Sequence, residues 1–232
     1  MKKIISLMSL FIFAGLVGFM AVTPPSNIAL FWIIKNDVEK KIGNPTQGKS
    51  DDWSKAKKGE LIYGGDFVRT RKESFTLIKF NDASTLRLGP SSEVQVYGDK
   101  NPRSANVTNG DVGFTVTQRK TAQFEFTTPT SVASIRGTQG LLSVSIDGTD
   151  FITIVEGLVQ FTNKFSNKSL NVGAGQTGVS SKDGSLNVHR STQQDLGKLS
   201  QLDNQFNEQH KIEMWFRGSD GQLHEVIIET EQ

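Results

Sequence analysis

The sequence predicts an all-β domain, rolled or stacked as a β-sandwich or in a β-helix-like manner. Between residues 27 and 190, short runs of alternating apolar and polar residues are separated by turns that contain glycine. Asp147–Gly148 and Asp183–Gly184 lie between such runs, where tight hairpin turns are expected. Few windows of helical periodicity occur before residue 190. A weak repeat of glycines at the starts of strands is the third observation.

Residues 1–26 are expected to form a membrane anchor. Lys2 and Lys3 precede an uncharged run of 19 residues, Ile4 to Val22, which is about the length of a membrane-spanning helix. The run is long for a signal peptide, and its small residues fit a cleavage site poorly. We therefore expect a single-pass protein of the bacterial inner membrane whose domain faces the periplasm. A protein secreted to the periplasm after signal cleavage is the alternative.

Residues 27–190 form the predicted β-domain. The run "IALFWIIKNDVEKKIG", which begins at Ile28, is interpreted as a strand, as are "SFTLIKF", "TLRLG" and "SEVQVYG". Similar runs begin at Gly65, Gly110 and Gly157, at spacings of 45 and 47 residues. Glycine at the start of a strand permits a turn with positive φ, so this repeat favours a stacked or rolled sheet.

Residues 191–232 are predicted to add a helix and a β-hairpin. Ser191 and Gln194 have the spacing of a capping box, and an apolar stripe follows at Leu196, Leu199, Leu202 and Phe206. The hairpin is expected around residues 218–221, with Ile212, Met214 and Phe216 on one face, and with Val226 and Ile228 as their candidate pairing partners.

The charge of the tail differs from that of the β-domain. Residues 191–232 carry three basic and eight acidic side chains, a net charge of −5, which leaves +7 for residues 1–190. We expect the helix and hairpin to pack on the β-domain. The alternative is an acidic partner-binding arm, with Trp215 and Phe216 as candidate contact residues.

The composition excludes several kinds of site. The chain has no cysteine and only three histidines, so neither a thiolate site nor a histidine-rich metal site is expected. We expect no catalytic residues, no metal and no cofactor. Asp147, Asp150 and Glu156 are interpreted as solvated caps of hairpin turns. A net charge of +2 gives no reason to expect a nucleic-acid partner.

Two longer stretches resemble a known family. "GGDFVRTRKESFTLIKFNDASTLRLGPSSEVQVYG", from Gly64 to Gly98, and "FEFTTPTSVASIRGTQGLLSV", from Phe124, are similar to the FecR domain family of exported β-domains. Ala83 stands where the family usually has glycine. The matching positions that are also candidate structural or ligand-binding residues are Gly65, Asp66, Arg69, Arg87, Pro129, Arg136, Gly137 and Thr138.

Within this resemblance, Thr128–Pro129 ends one strand and Arg136–Gly137–Thr138 is a bend inside the next. Arg136 is expected to pair with a carboxylate or with turn carbonyls, and Asp66 and Asp82 are candidates. The alternative for Arg136, as for Arg69 and Arg87, is a ligand anchor.

The resemblance leaves three functions open. Family members named for signalling carry a cytoplasmic segment that controls a sigma factor, whereas here only Met1 to Lys3 are expected inside. We therefore expect a non-enzymatic protein-interaction or scaffolding module of the cell envelope, with an unknown envelope protein as partner. One alternative is a module that binds peptidoglycan, another cell-wall polymer or carbohydrate. The other is the periplasmic sensory part of a transmembrane signalling system.

Overall fold

The computed structural model describes residues 27–43, 52–98, 103–118 and 123–206, and the backbone of 210–217 and 223–230. In these ranges the chain is mostly β, as predicted. The strands are β1 Asn27–Lys35, β2 Val38–Lys41, β3 Ser54–Lys55, β4 Leu61–Tyr63, β5 Phe67–Thr70, β6 Phe75–Phe80, β7 Thr85–Leu88, β8 Glu93–Tyr97, β9 Arg103–Val116, β10 Phe124–Thr127, β11 Ser131–Ile135, β12 Thr138–Val144, β13 Thr149–Glu156, β14 Leu158–Asn163, β15 Ser169–Gly173, β16 Gln176–Ser181, β17 Leu186–Arg190, β18 His210–Arg217 and β19 Leu223–Thr230. The helix α1 spans Gln193–Asn204.

The predicted membrane anchor, residues 1–26, lies outside the described residues. Of the residues that are described, none form a helix both long and apolar enough to cross a membrane.

Two sheets, A and B, form the β-domain. Sheet A has the strand order β4-β1-β6-β7-β9-β12-β13-β16-β17. Sheet B has the order β3-β2-β5-β8-β9-β10-β11-β14-β15, and its only parallel neighbours in the described part of the chain are β9 and β10. Strand β9 belongs to both sheets because it bends at Gly110, where φ is +97°. The fold is therefore a rolled β-sandwich.

One apolar core lies between the two sheets, and phenylalanine fills its centre. Phe114 of sheet A has its ring centroid 5.1 Å from that of Phe126 of sheet B. Phe124 lies 4.9 Å from Phe126 by the same measure. All three side chains are fully buried. Alternation along each strand sends these residues inward and the polar residues outward, as the sequence pattern predicted.

The glycine repeat marks the points where the chain crosses between the sheets. The crossings that carry a glycine with positive φ are at Gly59, Gly65, Gly110, Gly137, Gly157 and Gly175. At Gly110 a β-carbon would lie 2.2 Å from the hydroxyl oxygen of Ser92, so a side chain has no room there. The repeat predicted a rolled sheet correctly, and the structure supplies its physical basis.

Two predicted single strands are each divided by such a crossing. The run that begins at Ile28 forms β1 in sheet A and β2 in sheet B, because Asn36 turns the chain with φ +61°. The run through Arg136 and Gly137 forms β11 in sheet B and β12 in sheet A. A bend within one strand was therefore the wrong interpretation.

Helix α1 packs on the outer face of sheet A. Its capping box uses Thr192 and Asp195 rather than the expected Ser191 and Gln194, one residue further along the chain. Leu199 and Leu202 are buried in a second apolar cluster with Leu141 of β12. The predicted packing of the helix on the β-domain is thus confirmed.

The predicted C-terminal hairpin is present as β18 and β19. Its register places Ile212 opposite Ile228 and Met214 opposite Val226, so the predicted pairing partners do meet. Among the strands that the structure describes, β18 and β19 pair only with each other and form a separate sheet.

Candidate functional site

The Arg136–Gly137–Thr138 segment crosses from sheet B to sheet A, and it packs against the neighbouring crossing at Gly157. Gly137 has φ +60°, and a β-carbon there would lie 2.8 Å from Cβ of Gln118. A β-carbon on Gly157, at the neighbouring crossing, would lie 2.6 Å from the carbonyl oxygen of Gly137. The two crossings therefore stack backbone against backbone. Arg136 is exposed on the outside of this stack.

The Thr128–Pro129 step forms the turn between β10 and β11, as predicted. The hydroxyl of Thr128 accepts from the backbone N–H of Thr130 and of Ser131, at 3.1 and 2.7 Å. Pro129 lies between two strands, where no ladder hydrogen bond is needed from its nitrogen. Lys164 Nζ donates to the carbonyl oxygen of Thr128 at 2.6 Å and fixes the turn from the other side.

Asp150 anchors this turn from within the sandwich. The hydroxyls of Thr128 and Ser131 donate to its Oδ2, the latter at 2.6 Å. The side chain is fully buried, so its interpretation as a solvated cap was wrong. Burial raises the pKa of Asp150, although the two hydroxyl hydrogen bonds oppose the shift. No local sequence pattern indicates that Asp150 is buried, since the burial comes from packing of the β10–β11 turn over β13.

Asp66 organises the strand entry that follows Gly65. Its carboxylate is fully buried and accepts from the backbone N–H of Tyr63 at 3.1 Å and of Gly43 at 3.2 Å. Lys40 Nζ lies 3.9 Å from Asp66 Oδ2 and is itself almost fully buried. Asp66 thus joins the β4–β5 turn to the segment that follows β2, which is a structural function.

Asp82 has a cationic partner that the sequence analysis missed. Arg103 Nη2 lies 2.5 Å from Asp82 Oδ2, and its guanidinium also lies near the rings of Phe80 and Phe124. Burial alone would raise the pKa of Asp82, but hydrogen bonds from Arg103 and Ser84 lower it overall. Among the described contacts, Lys40 is therefore the cation near Asp66, and Arg103 is the cation that pairs with Asp82.

Arg69 lies on the outer face of sheet B in an aromatic and charged cluster. Its Nε is 2.6 Å from Glu39 Oε2, and its guanidinium carbon is 3.9 Å from the ring centroid of Trp53. Arg71 Nε is 2.8 Å from the same carboxylate oxygen. The hydrogen bond from Arg69 lowers the pKa of Glu39. Two arginines on one carboxylate stabilise this edge of the sheet.

Arg87 lies on the opposite side of the sandwich, beneath α1. Its Nε is 3.1 Å from Asp203 Oδ1 of the helix, although the N–H is not aligned for a good hydrogen bond. Burial lowers the pKa of Arg87 and raises that of Asp203, and each charge partly offsets the shift of the other. This contact joins the C-terminal extension to the β-domain.

The candidate residues do not converge on one pocket. Arg69 and Arg87 face opposite sides of the sandwich, Asp66 is internal, and Arg136 is at a crossing. A groove of 230 Å³ between α1 and sheet A is lined by Leu141, Ser143, Phe151, Thr153, Gln194, Asp195 and Lys198. Its carboxylate, Asp195, is already used to cap the helix. In the described ranges no cluster of His, Asp or Glu is suited to a metal ion.

Trp215 and Phe216 lie on β18 of the separate hairpin. They pair in register with Glu225 and His224 of β19. These candidate partner-binding residues therefore lie on the β18–β19 hairpin, which pairs with neither sheet A nor sheet B in the described part of the chain.

Comparison with known proteins finds one family and two crystal structures that are similar to this chain. Residues 66–160 match the family model described as FecR protein. Two crystal structures of a candidate anti-sigma factor from Parabacteroides distasonis, at 2.50 and 1.65 Å resolution, each superpose with a TM-score of 0.52 at 10% sequence identity. The match covers 65% of this chain and 67% and 68% of those chains, and at this identity it shows a shared fold. A comparison with curated proteins finds no match. Over residues 66–160, the family match confirms the resemblance to FecR domains inferred from the sequence motifs.

Proposed function

We propose that this chain is a non-enzymatic FecR-domain module that takes part in regulatory signalling at the bacterial envelope by docking a protein partner. Residues 1–26 anchor it in the inner membrane, and the β-domain faces the periplasm. The FecR match supports the signalling part of this proposal. The fold shared with a candidate anti-sigma factor agrees with it.

The observation that carries the docking part is the separate hairpin β18–β19. An isolated two-stranded hairpin is marginally stable in water and needs a further apolar surface. Its sequence is rich in large apolar residues, which include Met214, Trp215 and Phe216. Aromatic residues of this kind dominate the binding energy of many interfaces. The hairpin is thus the proposed partner-binding arm.

Binding of carbohydrate or wall polymer is less well supported. Sugar-binding sites commonly use an open tryptophan ring, but Trp53 carries Arg69 over its ring at 3.9 Å. Lys79 Nζ lies 4.5 Å from the centroid of Trp32. Both rings therefore already have a cation on one face.

Site-specific photo-crosslinking in the host cell tests the proposal. A photoreactive phenylalanine at position 215 of the full chain should capture one membrane or periplasmic protein, and that adduct should survive extraction at high salt. The same group at Ile146, which is 96% exposed in the β12–β13 turn, is the control and should not capture that protein. Adducts confined to wall material that high salt removes would contradict docking and favour the polymer-binding alternative.

The regulatory part needs a separate measurement. A Trp215→Ala, Phe216→Ala variant should change the host transcript profile as deletion of the gene does, whereas Phe165→Ala should leave it unchanged. Phe165 is an exposed aromatic residue in the β14–β15 turn and serves as the matched control. A crosslinked partner with an unchanged transcript profile would leave a scaffolding role and contradict signalling.

A further inference from the structure

An apolar surface lies on the outer face of sheet A at strands β4, β1 and β6, and within the described part of the chain it is left exposed. In the register of these strands Leu61 lies opposite Leu30, and Leu30 lies opposite Lys79. The pairing shifts between Phe31 and Ile33, so Trp32 is an extra residue at a bulge. Trp32 is 45% exposed and Leu61 is 40% exposed. We name Leu30, Trp32, Leu61 and Lys79 the Trp32 face.

The helix that covers the rest of this side stops before the Trp32 face. Phe206, just beyond α1, makes an edge contact with Phe75 of β6, at a centroid distance of 6.4 Å. Leu199 and Leu202 cover the region around β12. Strands β1 and β4 therefore keep their outer apolar side chains without cover from α1.

The position of this face relative to the N-terminal residues suggests what covers it. Strand β1 begins at Asn27, five residues before Trp32. The uncharged run Ile4–Val22 is long enough to cross a bilayer, and the four residues 23–26 span at most about 14 Å. Asn27 also pairs with Tyr63 of β4, so the tether enters at the strands that carry the Trp32 face.

The chemistry of the face matches a lipid interface. Tryptophan is enriched at the level of lipid headgroups, where its ring contacts apolar chains and its N–H contacts water. Lys79 lies over this ring, and Lys57 and Lys58 are exposed in the turn that precedes β4. That turn is held against β1 by a hydrogen bond from Gly59 N–H to the carbonyl of Phe31, at 2.8 Å. Lysines in such a position attract anionic headgroups.

We infer that the Trp32 face rests on the surface of the bilayer in which residues 1–26 are anchored. The contact holds the sandwich against the membrane in one orientation and leaves sheet B directed away from it. This inference rests on the anchoring included in the proposed function. It is independent of the partner-binding arm.

Quenching of tryptophan fluorescence by brominated lipid acyl chains tests the inference. The full chain is reconstituted into phosphatidylcholine–phosphatidylglycerol vesicles as two single-tryptophan variants. One variant, Trp53→Phe with Trp215→Phe, retains Trp32. The control, Trp32→Phe with Trp215→Phe, retains Trp53, which contacts Arg69 of sheet B. Trp32 emission should shift to shorter wavelength and lose at least half its intensity in brominated vesicles, while Trp53 emission should stay unchanged.

Equal quenching of the two tryptophans in vesicles that float with the protein would overturn the inference and leave the anchor intact. Failure of the protein to float would overturn both. A second probe covers the case in which a tryptophan variant does not fold. Because the chain has no cysteine, a nitroxide at Leu61→Cys should be shielded from a water-soluble relaxation agent on vesicle binding, and one at Ile146→Cys should not. An unshielded Leu61 probe would contradict the inference.

Discussion

Arg87 of β7 and Asp203 of α1 meet at the junction between the β-domain and its C-terminal extension, with Nε and Oδ1 3.1 Å apart. Burial disfavours both charges, as the lowered pKa of Arg87 and the raised pKa of Asp203 indicate. The attraction within such a pair largely offsets the cost of removing the charges from water. The helix must therefore be held chiefly by its apolar contacts.

Leu202→Ala should weaken the docking of α1. Leu202 is 5% exposed and packs over the flat surface left by Gly89 and Gly113. Removal of its buried methyl groups should cost about 2 kcal/mol. Hydrogen exchange should show loss of amide protection in residues 193–204 with little change in sheets A and B.

Ser200→Ala is the control for the helix experiment. Ser200 is exposed and bonds only to the carbonyl of Leu196 in its own helix, so the change should stay within about 0.5 kcal/mol. Equal loss of protection in the two variants would show that helix propensity, rather than contact with sheet A, decides the stability of α1.

Asp150→Asn should change the pH dependence of stability. Because the pKa of Asp150 is raised in the folded state, its contribution is fully present below the unfolded pKa of about 3.9. That contribution is lost as the pH rises through the folded-state pKa. Asparagine keeps an acceptor for the Thr128 and Ser131 hydroxyls without a charge. Urea unfolding at a series of pH values should thus show the variant gaining stability relative to the natural chain as the pH rises.

A second variant separates the hydrogen bonds of Asp150 from its charge. Asp150→Leu leaves both hydroxyls without their acceptor and should be about 1–3 kcal/mol less stable than Asp150→Asn at every pH. Parallel stability curves for the natural chain and Asp150→Asn would refute the argument from burial.

Gly157→Ala should destabilise the chain far more than Gly175→Ala. Both glycines have positive φ, which costs an alanine about 1–2 kcal/mol. At Gly157 the new carbon would also lie 2.6 Å from the backbone oxygen of Gly137, whereas nothing lies within 4 Å at Gly175. We expect losses of about 3 and 1 kcal/mol in denaturant unfolding. Similar losses in stability for the two variants would mean that the crossings at Gly137 and Gly157 do not stack tightly.

Ala83→Gly should stabilise the chain. Ala83 has φ +68° in the β6–β7 turn and stands where the FecR family usually has glycine. Replacing alanine in this left-handed conformation should stabilise the folded state by about 1–2 kcal/mol. The greater conformational freedom of glycine in the unfolded chain should reduce that gain by about 0.4–1 kcal/mol. A net gain of about 0.5–1 kcal/mol in urea unfolding is expected. Ala133→Gly, within buried strand β11, should have the opposite sign.

Much of the local structure could be predicted from the sequence because it depends on neighbouring residues. The β6–β7 segment, the hairpins at Gly148 and Gly184, and the C-terminal hairpin follow from alternation and turn chemistry. Cap position was less certain, since Ser191 and Thr192 are both good capping residues. The structure uses Thr192, whose hydroxyl accepts from the backbone N–H of Asp195.

The sites were harder to predict because burial and pairing arise between segments distant in sequence. Asp150 resembles an ordinary turn residue, and only the β10–β11 turn packed over it makes it a buried anchor. Arg103 carries no motif, but lies beside Asp82 because β9 passes the β6–β7 turn. The Trp32 face likewise depends on which part of sheet A the helix α1 leaves uncovered.

By itself the sequence determined that this chain is mostly β, with motifs that resemble the FecR family, a helix and a terminal hairpin, because periodicity, turn residues and ordered motifs are local properties. Only the tertiary structure decided that Asn36 and Gly137 carry the chain from one sheet to the other. A positive φ is compatible with a hairpin, a bulge or a crossing. The choice among them depends on where the next strand finds its hydrogen-bonding partner, which is often far away in the sequence.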